Sequence, residues 1–560
     1  MMNILVERPG GFVSEQRPRA SGKEGTQMSR CDRFAGTIGG VSRSRLSTGA
    51  VLAMVLLVVA GHYGQRASAS GGFGAAYDGI TGKQKYRYSS WGILVKDLLT
   101  GEVLFSRDAA HRFVPGSTVK SFTSLAAMDA LGAGHRFETP VYAVGPIGPD
   151  GRVEGDLVLV AQGDPTLGGR TKPDGTIDFT NMDHGDANSL GGSGLTPEDP
   201  LAGVDELARQ VAASGVRSAR DVIVDDRLFE DPDLGKEFPL SPILINDNLI
   251  DLVVKATQPG QRASVTWRPR SAAYRVISEV RTVAEDETDI AVSSLEPGVI
   301  EIRGAIAAAD RSTVRTFTVK DPPAFARTCF VEALARHGVA VDAPATGPNP
   351  RERLPIGETF SGTSPVALFT SPPFSEDVKL TLKVSQNIHA DTYVLLTAAA
   401  AGERTFYEGL SKERESFRAM GIDLDALCIG DGAGGTSNDR ISPKAAVQLL
   451  TAASRRSDFT AFFNALPILG VDGSLADSAT PGSKAIGKVR AKTGTTADYD
   501  PLNDRGLLLG KGLAGYVDAA SGRRLVFAVY VNNAPYQDID GIMDVGRDLA
   551  RLTEAMHANF

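Results

Sequence analysis

The chain has 560 residues, of which 42% are hydrophobic, and its formal net charge at pH 7 is −8. This length allows two or three packed domains, and the hydrophobic fraction is too low for a protein with many membrane spans. The negative charge repels phosphate backbones and argues against a nucleic-acid partner. Three cysteines, Cys31, Cys329 and Cys428, lack the spacing of zinc sites. We predict neither a metal site nor a cofactor.

Residues 1–69 are predicted to be a leader with a secretory signal. The apolar run 49–61 follows Arg43 and Arg45 and has 13 residues, fewer than the roughly 20 that a bilayer span needs. Residues 67–69, Ala-Ser-Ala, follow it with the small-x-small pattern that signal peptidases accept. We expect an exported protein, in the periplasm or on the cell-wall side of the cytoplasmic membrane. It would contact the membrane only through the leader before cleavage; an uncleaved anchor is the alternative.

The first ordered elements are predicted to follow a short linker. Residues 70–89 are rich in glycine, alanine and serine, which is typical of a linker. Two apolar runs within 91–106 flank a Leu-Thr-Gly turn and predict a hairpin. A helix is predicted from about Ser117, and Gly132 is suited to the position after its last turn.

An insert of two strand-rich domains is predicted for residues 138–354. Short apolar runs such as 156–160 and 221–224 alternate there with turn residues, a pattern typical of short strands. One of the two domains is expected to be nested within the other at about 258–318. The stretch 168–200, full of glycine, aspartate and asparagine, is predicted to be a long loop.

Helices are predicted to return after the insert. One covers 375–384, one begins with Ser442 as its N-cap, and the last carries apolar residues at helical spacing from Ile542 to Met556. Between the last two lie three strand candidates, at 488–495, 512–517 and 525–531. We therefore predict that 90–137 and 355–560 form one domain, a sheet flanked by helices.

The first chemical motif is Ser117-Thr118-Val119-Lys120, at the predicted helix start. Residues i and i+3 share a helical face, so the Lys120 amine would lie beside the Ser117 hydroxyl. Serine acyl transfer needs such a nucleophile with a group that accepts its proton. A buried lysine near another cation can be neutral enough to serve as that base. Alone, this motif is weak, because Ser-x-x-Lys recurs by chance.

Two further motifs with suitable residue types follow along the chain. In Ser385-Gln386-Asn387, the serine can pass a proton to a leaving nitrogen and the asparagine can hold the lysine and a substrate amide. The third motif combines positive charge, hydroxyl groups and a glycine that lets substrate backbone approach a strand edge. Its residues are Lys492, Thr493, Gly494 and Thr495.

The order of the three motifs resembles that of the penicillin-binding proteins and serine β-lactamases. The long separation between Ser117 and Ser385 is similar to that in the class C low-molecular-mass penicillin-binding proteins, D-alanyl-D-alanine carboxypeptidases and endopeptidases with nested domains. Further stretches resemble the same family: 157–167, 224–229, 245–249, 431–434 and 466–475. The resemblance implies an α+β fold, a transpeptidase/β-lactamase-like domain with an antiparallel sheet flanked by helices and two strand-rich domains nested as an insert.

The resemblance also implies roles and ligands. Ser117 would be acylated, Lys120 would be its general base, and Ser385 and Asn387 would serve the leaving group and the substrate amide. Residues 492–495 would bind the terminal carboxylate, and the N–H groups of Ser117 and Thr495 would form the oxyanion hole. The expected ligands are peptidoglycan stem peptides and β-lactams.

We therefore predict a serine D-Ala-D-Ala carboxypeptidase, with endopeptidase activity left open. One alternative is a β-lactamase, although the Glu-x-x-Leu-Asn pattern of class A enzymes is missing. The other is a non-catalytic module that binds the cell wall or senses β-lactams. The sequence does not indicate an oligomeric state.

Overall fold

The structure is a computed structural model that describes residues 71–230, 238–285, 287–355, 357, 360 and 364–560. The leader and secretory signal predicted for 1–69 lie outside this range. Among the described helices, none has both the length and the apolar character needed to cross a membrane.

Helices and strands of the described residues are numbered in chain order. The helices are α1 (Gly71–Thr81), α2 (Val119–Leu131), α3 (Ala202–Ala213), α4 (Pro322–Arg336), α5 (Phe374–Val384), α6 (Asn387–Ala400), α7 (Phe406–Ala419), α8 (Pro443–Ala453), α9 (Phe459–Ala465) and α10 (Ile539–Asn559). The strands are β1 (Ser90–Asp97), β2 (Val103–Arg107), β3 (Glu138–Val144), β4 (Asp156–Val160), β5 (Ser218–Ala219), β6 (Val222–Asp225), β7 (Leu249–Lys255), β8 (Ser264–Arg268), β9 (Arg275–Ser278), β10 (Arg281–Val283), β11 (Asp289–Ser293), β12 (Val299–Ala307), β13 (Ser312–Thr318), β14 (Ala340–Val341), β15 (Ala367–Thr370), β16 (Leu427–Cys428), β17 (Arg440–Ile441), β18 (Val489–Asp500), β19 (Arg505–Asp518), β20 (Arg524–Asn532) and β21 (Ala534–Tyr536).

An antiparallel sheet with helices on both faces forms the outer part of the chain. Its strand order is β18-β19-β20-β1-β2, and β21 pairs with β19. Because side chains alternate along a strand, Val526 and Ala528 enter one core while Phe527 and Val529 enter the other. Helices α2 and α5 to α9 pack in the first core, and α1 and α10 pack in the second. This arrangement confirms the predicted α+β class and the sheet flanked by helices.

Local sequence signals placed most of these outer elements correctly. The side chain of Ser442 accepts the backbone N–H of Ala445 at 3.1 Å, and Pro443 is the first residue of α8, as predicted. Gly132 follows α2 with φ of 89°, a conformation that favours glycine. The hairpin of β18 and β19 extends well beyond the two predicted strands, to Asp500 and Arg505.

Residues 71–89 differ from the linker that the sequence predicted. They contain α1, and the side chains of Phe73, Tyr77 and Tyr86 are buried. The hydroxyl of Tyr86 donates to Asp548 Oδ2 on α10 at 2.8 Å. Glycine and alanine dominate the composition of this segment, but its aromatic residues anchor it to the domain.

The insert contains helices as well as strands. One sheet has the order β15-β3-β4-β6, and α3 and α4 contribute to the same core. Two further sheets have the orders β13-β7-β8 and β10-β12-β11, with β9 beside β12. Because β15 pairs with β3, this part of the fold continues to residue 370, beyond the predicted boundary at 354.

A buried group of charged residues joins the insert to the outer domain; we call it the insert charge cluster. Asp247 accepts hydrogen bonds from Arg170 at 2.7 Å and from His184 at 2.7 Å, both in the insert. Its other oxygen is 2.9 Å from His389 Nε2 on α6. Arg170 also donates to Asp183 at 2.8 Å. Together these five residues connect the predicted 168–200 loop to a helix beside the second motif.

The same cluster has the residue types of a metal site. Asp183, His184 and Asp247 each offer a ligand atom within 4.8 Å of the others. However, the Arg170 guanidinium donates to both carboxylates. An arginine therefore supplies the positive charge that a metal ion would supply in such a group.

The insert charge cluster makes stability depend on pH. Burial alone lowers the pKa of both imidazoles, but the neighbouring carboxylates outweigh it and raise the pKa of His184 and His389 to about 10. An imidazole with a raised pKa stabilises the folded state fully below its unfolded pKa of about 6.5. That contribution is lost as the pH rises towards about 10.

We expect the stability advantage of the wild type over His389→Gln to shrink as the pH rises from neutral towards about 10. The free energy of unfolding of both proteins is measured by urea denaturation across this range. His111→Gln is the control, because His111 is exposed. A difference between wild type and His389→Gln that stays constant with pH would contradict the raised pKa.

We also expect Phe73→Ala to lower the free energy of unfolding by about 3 to 5 kcal/mol, because it leaves a cavity in the second core. Phe73 is fully buried against Phe105, with ring centroids 4.9 Å apart. Tyr88→Ala is the control, since Tyr88 is 82% exposed. Equal urea midpoints for the two variants would show that α1 is not part of the cooperative fold.

Candidate active site

The first motif places a lysine amine beside a serine hydroxyl. Ser117 lies in a short 3₁₀ turn, Gly116–Thr118, that leads directly into α2. Lys120 Nζ donates to Ser117 Oγ at 3.0 Å, as the spacing of the two residues predicted. Both side chains are buried, so water does not compete strongly for this contact.

Two oxygens from other parts of the chain also bind Lys120. Its Nζ donates to Asn387 Oδ1 at 2.7 Å and to the carbonyl oxygen of Ala433 at 2.8 Å. Asp431 organises the loop that carries this carbonyl, because its carboxylate accepts the N–H groups of Ala433, Gly434 and Gly435. Residues 431–434 of this loop resemble the family in sequence, but their type and spacing predicted no role for them.

The second motif lies at the junction of α5 and α6. Ser385 directly follows the last residue of α5 and has φ of 65°, in the left-handed region. Asn387 begins α6. This turn directs the two side chains to different lysines: Ser385 Oγ accepts from Lys492 Nζ at 2.8 Å, while Asn387 binds Lys120. The middle residue, Gln386, donates to Asp247 at 3.0 Å. The insert charge cluster therefore contacts the second motif directly.

The third motif runs along β18. The hydroxyl groups of Thr493 and Ser474 are hydrogen-bonded at 2.8 Å. Thr495 Oγ1 accepts from Lys511 Nζ on the neighbouring strand β19 at 2.7 Å. Thr495 and Lys511 are directly opposite in the strand register.

Two glycines allow the first and third motifs to approach each other. A Cβ atom on Gly494 would lie 2.0 Å from the carbonyl oxygen of Pro115. Gly116 has φ of 51°, and a Cβ atom there would lie 2.5 Å from the backbone nitrogen of Thr495. Larger residues would therefore separate the Ser117 turn from β18.

Burial changes the acidity of the lysines in this region. Burial and the nearby Lys120 cation hold the pKa of Lys492 well below its usual range, against an opposing effect of Asp186. Burial also lowers the pKa of Lys511, to about 8. Lys492 is thus more acidic than an ordinary lysine, whereas Lys511 still carries most of its charge at neutral pH.

Two openings meet at β18. The first, which we call the nucleophile pocket, is lined by Ser117, Asn387, the loop 433–435, Thr495 and Thr496. The second, which we call the β18 cavity, is about 110 Å³ and is bordered by Ser385, Thr493, Thr495, Lys511, residues of the 181–190 loop and α10. Thr495 borders both openings. A peptide can therefore place its reactive carbonyl at Ser117 and extend past Thr495 into the β18 cavity.

Five of the eight predicted site residues line these two openings. Of the other three, Lys120 binds Ser117, Lys492 binds Ser385, and Gly494 lies between two lining threonines. Ser117, Lys120 and Asn387 form one hydrogen-bonded group, Ser385 and Lys492 form another, and residues 493–495 lie along the strand between them. Sequence reasoning missed Lys511, Asp186 and Gln386. Lys511 lies one residue before the strand predicted at 512–517, so the predicted element did not include it.

Comparison with known proteins shows which family has this arrangement. A sequence profile of the D-Ala-D-Ala carboxypeptidase 3 (S13) family matches residues 76–552. A D-alanyl-D-alanine carboxypeptidase of Actinomadura sp. (strain R39) is 28% identical over 470 residues, which cover 79% of this chain and 77% of the relative. D-alanyl-D-alanine carboxypeptidase DacB of Haemophilus influenzae is 21% identical over 473 residues, which cover 81% and 87%.

A solved structure shares the fold. The crystal structure of penicillin binding protein 4 (dacB) from Haemophilus influenzae superposes with a TM-score of 0.65 at 20% identity, covering 85% of this chain and 98% of that one. This similarity confirms the transpeptidase/β-lactamase-like fold. Because the family profile spans most of the sequence, the chain belongs to the D-Ala-D-Ala carboxypeptidase 3 (S13) family and is a serine-type D-alanyl-D-alanine carboxypeptidase, as its three motifs predicted.

Proposed function

We propose that the chain removes the terminal D-alanine of peptidoglycan stem peptides through an ester on Ser117. The 3.0 Å contact between Lys120 Nζ and Ser117 Oγ carries this proposal, because Lys120 in its free-amine form can accept the proton of the Ser117 hydroxyl while it still donates to Asn387 and Ala433. Ser117 Oγ attacks the carbonyl of the penultimate residue while Lys120 takes the proton. Asn387 and the Ala433 carbonyl hold the resulting ammonium group.

The leaving nitrogen needs a proton before the peptide bond breaks. Ser385 Oγ accepts from Lys492 Nζ, and the pKa of Lys492 is held low by burial and by Lys120. We assign Ser385 as the group that passes a proton to the departing amine, with Lys492 replenishing it. Water then hydrolyses the ester: Lys120 returns its proton to Ser117 Oγ, and the proton lost by the water passes through Ser385 to the neutral Lys492, which restores the starting state.

Thr493, Gly494 and Thr495 are assigned to substrate binding. The two threonine hydroxyls can donate to the terminal carboxylate of the peptide. Lys492 adds positive charge when protonated, and Gly494 keeps the strand edge open to substrate backbone. The N–H groups of Ser117 and Thr495 are assigned to the oxyanion, as donors to the oxygen on which negative charge develops.

β-lactams would acylate the same serine, because their strained amide and carboxylate resemble the end of the stem peptide. Among the described residues that line the nucleophile pocket, none is acidic. After the ring opens, the leaving group of a β-lactam stays attached and blocks water from the ester, whereas a stem peptide releases D-alanine and clears the path. We therefore expect a long-lived adduct rather than the rapid turnover of a β-lactamase. Membership of a peptidase family removes the non-catalytic module as an alternative.

Endopeptidase activity and export complete the proposal. The same chemistry cleaves a peptide cross-link wherever the bond follows a D-alanine and the leaving residue keeps a free carboxylate. The substrate lies outside the cytoplasm, which agrees with the secretory signal predicted in residues 1–69.

Replacing the nucleophile should abolish the reaction. We expect Ser117→Ala to release no D-alanine from a muropeptide pentapeptide and to form no adduct with penicillin, measured by chromatography and intact-protein mass. Lys120→Met should slow both reactions about 10²- to 10⁴-fold, the usual cost of losing a general base. Ser121→Ala is the control: Ser121 lies one turn later, and its buried hydroxyl has no hydrogen-bond partner. Activity retained by Ser117→Ala would contradict the assignment of the nucleophile.

The lifetime of the penicillin adduct separates the carboxypeptidase from a β-lactamase. We expect the mass of the wild-type protein to increase by that of one penicillin. The increase should last much longer than one cycle of peptide cleavage. Catalytic hydrolysis of penicillin without a detectable adduct would favour the β-lactamase alternative.

Incubation with a cross-linked muropeptide dimer tests endopeptidase activity separately. We expect the wild type to produce monomers and Ser117→Ala to produce none, as read by mass spectrometry. Release of D-alanine from the pentapeptide without cleavage of the dimer would restrict the enzyme to carboxypeptidase activity.

A further inference from the structure

Lys511 is a buried cation whose position the proposed reaction does not yet use. It lies on β19 opposite Thr495, and Nζ donates to the hydroxyl of that residue at 2.7 Å. Within the described part of the chain, Lys511 makes no ion pair, and burial is the cause of its lowered pKa of about 8. A buried ammonium group is costly unless an anion accompanies it. The protein keeps this cation at the border of an open cavity, where a ligand can supply the anion.

The β18 cavity has a polar wall and an apolar wall. Ser385, Thr493, Thr495 and Lys511 form the polar wall, which continues from the nucleophile pocket. The apolar wall is formed by Leu190 of the insert and by Ile542 and Met543 of α10, among others. The volume of the cavity is about 110 Å³.

The order of groups along β18 fixes which part of a substrate reaches this cavity. The acyl carbonyl must lie at Ser117, and the departing amine must lie near Ser385. The leaving residue therefore lies beyond Thr495, between the polar and apolar walls. A carboxylate on this residue can reach Thr495 and Lys511, and its side chain can reach Leu190 and Met543, because all four residues line the same cavity.

We propose that the β18 cavity is the binding site for the leaving residue, that Lys511 pairs with its free carboxylate, and that the apolar wall accepts an aliphatic side chain longer than methyl. This inference rests on the proposed function and extends it to a substrate class: peptides that end in D-alanine followed by a D-residue with an aliphatic side chain longer than methyl. Asp186 also borders the cavity, so an acidic side chain on the leaving residue is disfavoured.

Lys511→Met tests the carboxylate contact. The substitution keeps the length of the side chain, removes its charge and suits a buried position. Each protein is assayed with one N-acylated peptide ending in D-Ala-D-Ala, as the free acid and as the C-terminal amide. We expect wild type to prefer the free acid in kcat/KM and Lys511→Met to reduce that preference about 10- to 100-fold, the range for a hydrogen bond to a charged group.

Lys488→Met is the matched control, since Lys488 is exposed and lies just before β18 begins. It should retain the wild-type preference for the free acid. If Lys511→Met also retains that preference, Lys511 does not bind the carboxylate and the inference is overturned.

A series of leaving residues tests the apolar wall. Peptides ending in D-Ala-D-Ala and D-Ala-D-norvaline are compared by kcat/KM for release of the last residue. We expect wild type to cleave the norvaline peptide at least as efficiently as the alanine peptide. Met543→Trp, which narrows the cavity, should lower the norvaline-to-alanine ratio about tenfold or more, the effect of lost space for one methylene or more. Met543→Ala, which widens it, should not lower that ratio.

The outcomes separate this inference from the proposed function. If the wild type releases no D-alanine from any peptide, the proposed function fails. If it releases D-alanine but discriminates more than about 100-fold against norvaline, the function stands and the cavity is not the site of the leaving side chain. A norvaline-to-alanine ratio that is equal in wild type and Met543→Trp leads to the same rejection.

Discussion

Two lysine amines are buried beside serine hydroxyls, and the rest of the structure depends on this burial. Lys120 and Lys492 are fully buried, and each contacts one serine of the site. Removing a cation from water costs several kcal/mol unless hydrogen bonds replace its hydration. Here an asparagine oxygen and a backbone carbonyl surround Lys120, and the proximity of the two cations lowers the pKa of Lys492. The reactivity of the site therefore arises from packing, which excludes water and lowers the pKa of Lys492.

Two turns and the insert charge cluster hold the buried lysines and serines in contact. The turn at Ser117 lies against β18 because Gly116 and Gly494 present no side chains there. The turn between α5 and α6 separates Ser385 from Asn387, so each reaches a different lysine. Gln386, between them, binds Asp247 of the insert charge cluster. The insert thus belongs to the support of the active site, although all three motifs lie outside it in sequence.

Sequence reasoning was most reliable where neighbours along the chain decide the structure. The spacing of Ser117 and Lys120 fixed their contact, and the Ser442-Pro443 pair fixed the start of α8. It failed at residues 71–89, because small residues suggested a linker while a few aromatic side chains anchor the segment. It also overlooked α3, whose apolar positions at Val204, Leu207 and Val211 have helical spacing. Helix α3 lies between short strands, and the composition of those strands led to the prediction of a strand-rich insert.

The order of the three motifs, taken from the sequence by itself, determined the enzyme class, the fold and the eight candidate site residues. Those features depend on local spacing and on residue types, which the sequence states directly. Tertiary structure alone decided that Lys511 faces Thr495, that α10 and the 181–190 loop border the β18 cavity, and that Asp247 reaches Gln386. Such contacts join residues separated by up to hundreds of positions. They depend on strand register and on the packing of the insert against the outer domain, for which one sequence contains no local signal.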